Sequence, residues 1–179
     1  RFTDLNPFNW AYPGIRYCVT NGLMSGTSDM TFAPDAVMTR AQIVQLLWAA
    51  AGSPETTGTL PFTDVQPGAW YYAAVRWAYR TGLVAGTSPT TFDPNAAVTR
   101  QDLAVILYEQ SGRPVTTGSA LTAFPDVGSV AGYAYAALTW AVEQGLVSGV
   151  GADDGVRLTP RGYASRAQVA TILMTYCDR

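Results

Sequence analysis

Three short motifs carry the residues whose types and spacing can do chemistry: Thr39-Arg40-Ala41-Gln42, Thr99-Arg100-Gln101-Asp102 and Ser165-Arg166-Ala167-Gln168. A hydroxyl followed three residues later by Gln or Asp fits a capping box, which satisfies the free amides at the start of a helix. Asp102 is the looser fit. The Arg is not explained by capping, because a cation in the first turn opposes the helix dipole. Two readings of it stand side by side. Arg40, Arg100 and Arg166 can form ion pairs with Asp4, Asp64 or Asp126, or they can hold an anionic ligand. In the second reading an exposed helix N-terminus contributes free amides, and the guanidinium adds a planar fork suited to a carboxylate or phosphate. An aromatic in each unit, Trp10, Trp70 or Tyr133, can stack on a sugar ring, which makes an acidic carbohydrate a plausible ligand. Trp10 and Trp70 can equally be core residues closing a helix.

The elements that must position these residues come from a repeat. Displacing the chain by sixty places aligns Asp4 with Asp64, Trp10 with Trp70, Gly22 with Gly82, Gly26 with Gly86, Phe32 with Phe92 and Arg40 with Arg100. A third copy begins at Phe124 and continues through Gly145, Gly149, Leu158 and Arg166, with extra residues between Gly149 and Arg166. We divide the chain into repeats at 1–59, 60–121 and 122–179, joined by the turn-rich segments that open at Gly52 and Gly112.

Each copy reads as helix, turn, short extended piece, helix. The segment Trp10 to Thr20 can be helical, with Pro13 in its first turn and Gly22 as its stop. The second helix starts at Thr39 and carries Ile43, Leu46, Leu47 and Ala50 at helical spacing. The stripe recurs as Leu103, Ile106, Leu107 and as Val169, Ile172, Leu173, Tyr176. Three such units share one core. The expected fold is therefore mostly α, three helix-loop-helix repeats in one pseudo-threefold bundle. Phe32, Phe92 and Leu158 are expected in the core, and Gly22, Gly82 and Gly145 as left-handed stops. Gly26, Gly86 and Gly149 can serve the loop or let a ligand approach the backbone.

Composition narrows the function. The 179 residues carry a net charge of −2, no His, and no Lys, so all eleven basic residues are Arg, scattered without a run. Nucleic acid is disfavoured, because it demands a concentrated basic patch. No apolar stretch is long enough to cross a bilayer. The first residues are not a signal peptide, and we expect a fragment of a larger protein. Without His, a nucleophile elbow or a phosphate loop, no catalytic residue, metal or cofactor is expected. Asp153-Asp154-Gly155 lacks the spacing of a calcium loop and reads as a turn. Cys18 and Cys177 look packed; they can pair or stay as buried free thiols, and free thiols are the expectation.

Taken together these motifs resemble the S-layer homology domain over essentially the whole chain. The order Phe-x-Asp-Val/Leu, aromatic, Gly-Leu-Met/Val-x-Gly, Phe/Leu-x-Pro and Thr/Ser-Arg-x-Gln/Asp occurs in all three copies, although none has the Glu of the family's usual TRAE. The resemblance implies a non-catalytic, extracellular cell-wall anchor, expected to be a monomeric module of a larger surface protein. It implies binding of an acidic secondary cell-wall polymer, typically with a pyruvylated N-acetylmannosamine, in grooves between repeats on Gram-positive-type bacteria. Carried over by position, it nominates Arg40, Arg100, Arg166, Gly26, Gly86 and Gly149, with Trp10, Trp70, Asp4, Asp64 and Asp126 in support. The third repeat, with its insertion at Gly151 to Gly155, is expected to line the divergent groove. A module for protein interaction or S-layer assembly that binds no glycan is the alternative.

Overall fold

The computed structural model describes residues 2–152 and 155–178. Among them the chain is mostly helical. Its α-helices are α1 (Tyr12–Thr20), α2 (Arg40–Ala50), α3 (Tyr72–Arg80), α4 (Arg100–Gln110), α5 (Tyr135–Glu143) and α6 (Arg166–Cys177). One antiparallel hairpin, β1 (Val150–Ala152) with β2 (Gly155–Arg157), occupies the insertion of the third repeat. Asp153 and Asp154, expected in a turn, lie outside the described residues.

The helices begin and end where local chemistry requires. Thr39 and Ser165 close complete capping boxes with Gln42 and Gln168. At α4 the shorter Asp102 accepts from the Thr99 hydroxyl at 2.6 Å instead of reaching the Thr99 amide, and its other oxygen accepts from Tyr133 at 2.7 Å. Gly22, Gly82 and Gly145 stop the first helices in the left-handed region at φ +69°, +75° and +69°.

Two compact units arise, and they are out of phase with the sequence repeats: Val37–Val98 forms one, and Arg1–Ala36 with Thr99–Arg179 forms the other. In the first, α2 packs on α3; in the second, α4 packs on α5 and α6 on α1. The second helix of one repeat thus packs on the first helix of another. Ile43, Leu46, Leu47, Leu103, Ile106, Leu107, Val169 and Leu173 are buried as the stripe requires. Ala50, expected on that stripe, is exposed in the last turn of α2, and the buried face instead widens to Val44, Ala104 and Ala170. Phe32, Phe92 and Leu158 are buried as expected.

In the larger unit α1 lies so close to α6 that a Cβ on Gly14 would stand 2.6 Å from Thr171 Cα. Cys18, on the same helix, is buried, and its thiol donates to Ala170 O at 3.6 Å. Burial, reinforced by Cys177, pushes its pKa up to about 12. Cys177 is exposed rather than packed, because it lies in the last turn of α6, and both cysteines are free thiols.

Candidate functional site

Each repeat builds the same peptide clamp. Asp4 accepts from Phe32 N and Ala33 N, Asp64 from Phe92 N and Asp93 N, and Asp126 from Leu158 N and Thr159 N, all at 2.7 to 3.2 Å. Ala33, Asp93 and Thr159 sit at φ +56°, +55° and +46°, a region that costs an L residue roughly 1 kcal/mol or more and persists only where neighbours enforce it. The carboxylate enforces it by gathering two consecutive amides.

The Arg holds the other end of the same residue. Arg166 Nε donates to Phe32 O at 2.8 Å, Arg40 Nε to Phe92 O at 2.8 Å, and Arg100 Nε to Leu158 O at 3.0 Å. Asp and Arg therefore act through one peptide unit. Among the described residues, neither Arg100 nor Arg166 forms an ion pair with a carboxylate. The Asp carboxylates spend their oxygens on backbone amides, which gives them a structural task.

Those amides set a pH dependence. The Phe32 amide, against the opposing effect of burial, holds the Asp4 carboxyl below its ordinary 3.8; at Asp64 burial pushes up, but the Phe92 and Asp93 amides outweigh it. A carboxyl depressed in the folded state stabilises above its unfolded pKa, and that contribution disappears as pH falls through the folded one. The melting temperature should hold from neutrality to about pH 4 and fall progressively below it. Asp64→Asn should flatten part of that fall; an Asp64→Asn melting curve parallel to wild type at every pH would contradict the assignment.

The expectation of free helix amides fails. Arg40 N and Ala41 N donate to Ala96 O and Pro94 O; Arg100 N and Gln101 N donate to Gly162 O and Pro160 O; Arg166 N and Ala167 N donate to Ala36 O and Pro34 O. The third amide goes to the capping hydroxyl in each case. Tertiary packing has covered these helix starts, so any anion-binding capacity rests on side chains.

Gly26 and Gly86 have a packing reason. The space for a Cβ is taken by Ser28 O, the Phe2 ring and Thr31 O at the first, and by Ser88 O, the Phe62 ring and Thr91 O at the second. Gly149 is different: it lies at φ +85°, and a Cβ would meet Val156 and Arg157 O of the hairpin.

Trp10 and Trp70 are not core residues, being 61% and 62% exposed. Trp10 lines an open groove of about 420 Å³ in the larger unit, together with Arg100, the segment Leu146–Gly151, and Gln168, Thr171 and Ile172 of α6. Three nominated residues, Trp10, Arg100 and Gly149, are brought together there. The α6 wall was missed, because Gln168 and Ile172 read from sequence as a cap and a core stripe. Tyr133 is exposed and tied to the start of α4, with its hydroxyl donating to Asp102 and accepting from Gln101 at 3.2 Å.

Three segments of the chain, residues 1–44, 61–104 and 123–170, match the S-layer homology domain. The chain belongs to the S-layer homology domain family. Relatives include the surface-layer 125 kDa protein of Lysinibacillus sphaericus, 30% identical over 94% of this chain and 14% of that protein. An amylopullulanase of Thermoanaerobacterium thermosulfurigenes is 27% identical over 96% of the chain, and a cellulosome-anchoring protein of Acetivibrio thermocellus is 28% identical over 70%. The S-layer homology chain spans only 9% of the former and 29% of the latter, so the similarity to an enzyme lies in a small part of it. Among the described residues no helix is long and apolar enough to cross a membrane.

Proposed function

We propose that this chain is a non-catalytic anchoring module that holds a larger protein to the cell wall by binding an acidic secondary cell-wall polysaccharide. Family membership and the surface-layer and anchoring relatives put it at the cell surface. The observation that carries the glycan reading is the groove lined by both Arg100 and the exposed Trp10. A sugar ring can lie on the indole face while an acidic substituent meets the cation. Arg40 and Arg166, Gly26 and Gly86, and Trp70 occupy the corresponding positions in the other copies. Asp4, Asp64 and Asp126 support the site by shaping the loops. The polymer's acid, whether a pyruvyl ketal or a uronic acid, supplies the charge that the module recognises.

The test is co-sedimentation of the purified chain with Gram-positive cell walls, before and after the polymer is chemically stripped. Binding should be strong to intact walls and lost on stripped ones. Equal sedimentation with both, or with neither, would favour an assembly module that recognises protein.

A further inference from the structure

The three clamp arginines do not have equal freedom. Arg166 places Nη2 on Ser25 O at 2.6 Å and its guanidinium 4.4 Å from the centre of the Phe32 ring. Arg40 repeats this with Ala85 O at 2.9 Å and the Phe92 ring at 4.5 Å. Each is held by two carbonyls and an aromatic face. The equivalents around Arg100 are Ser148 and Leu158, and both differ. Leu158 has no ring to offer, and among the described residues Ser148 O accepts nothing from Arg100, which keeps the single bond to Leu158 O. The hairpin gives the reason. Gly149, unlike Gly26 and Gly86, turns into the left-handed region to start β1, so the backbone beside Ser148 takes another course.

The consequence is a cation that is 9% exposed, with terminal nitrogens that have no protein partner among the described residues and with its remaining access into the groove. Burial pulls its pKa down, and Asp126 only partly offsets that. A desolvated cation that its neighbouring charge only partly compensates gains from an anion that fits. Other polar groups converge on the same space. Gln168 uses its Oε1 for the Ser165 amide and keeps its Nε2 for a ligand, while Thr171 donates its hydroxyl to Ala167 O and retains an accepting oxygen.

We propose that the third-repeat hairpin divides the labour among the arginines: Arg40 and Arg166 are structural clamps, and Arg100 is the anion-binding arginine, taking one carboxylate on a sugar stacked against Trp10. This rests on the glycan reading above and makes the groove of the divergent third repeat the one that binds. The insertion releases Arg100.

Two measurements test it. Arg100→Gln should keep the helical circular dichroism and lower binding to acid-bearing walls at least tenfold. In the wild-type chain, NMR titration with glucuronate should shift the Trp10 indole, the Gly149 amide and the Gln168 side-chain amide, and glucose should leave them in place. Wild-type binding to walls that is undiminished in Arg100→Gln overturns the division of labour while leaving the anchoring function intact. So does a glucuronate map centred on Gly26 or Gly86, or one with no shifts. Should Arg100→Gln fail to fold, the wild-type map decides alone.

Discussion

Arg166→Ala should lower the unfolding free energy by about 3–5 kcal/mol, as the sum of two charge-assisted hydrogen bonds and the carbonyls left without a donor. The guanidinium is nine-tenths buried and joins α6 to Phe32 O and Ser25 O of the first repeat, so its loss unties the two ends of the chain. The stacked Phe32 ring also loses its cation, worth roughly a further 0.5–1 kcal/mol. Arg166→Lys should recover only part, because one ammonium lacks the fork that spans both carbonyls. Urea denaturation of the variants against wild type measures this. Arg100→Ala should cost about 1–2 kcal/mol, having one such bond to lose. Equal destabilisation by the two alanines would refute the distinction between clamp and ligand arginine.

Gly14→Val should be as damaging, costing about 3 kcal/mol or more, at the upper end of what overpacking a core does. The Cβ would fall 2.6 Å from Thr171 Cα, 2.8 Å from Thr171 N and 2.9 Å from Ala170 C. These are backbone atoms of a helix, which cannot rotate aside as a side chain can. The informative companion is Gly14→Ala. Helix propensity alone favours it by about 1 kcal/mol. The close approach predicts the opposite sign, a loss of about 1–3 kcal/mol. Stabilisation by Gly14→Ala, read from thermal or urea unfolding, would show that α1 and α6 do not meet at this distance.

Much of the architecture was legible because its causes are local. The stripe at Ile43, Leu46 and Leu47 recurs every turn, the hydroxyl of Thr39 reaches an amide three residues away, and Gly22 answers a backbone angle at its own position. Ala50 escaped because a pattern cannot show where a helix end leaves its neighbour. Trp10 was ambiguous for a related reason: a large aromatic suits a core and a sugar platform equally, and exposure alone separates them.

The site was legible only in part. Arg40, Arg100 and Arg166 stood out because helix chemistry does not select a cation at that position. Their partners could not be read, since each bonds a carbonyl 52, 58 or 134 places away, and a carbonyl has no residue type to recognise. The same blindness produced the expectation of free helix amides, which neighbouring loop carbonyls satisfy.

By itself, then, the sequence determined the three repeats, the helices with their caps and stops, and the charged and aromatic residues available to each copy. All of these follow from interactions within a few residues along the chain. Tertiary structure decided which guanidinium is clamped and which faces a groove. That choice depends on a loop carbonyl and a buried ring contributed by a distant repeat, and on a hairpin that turns the backbone away from one of them.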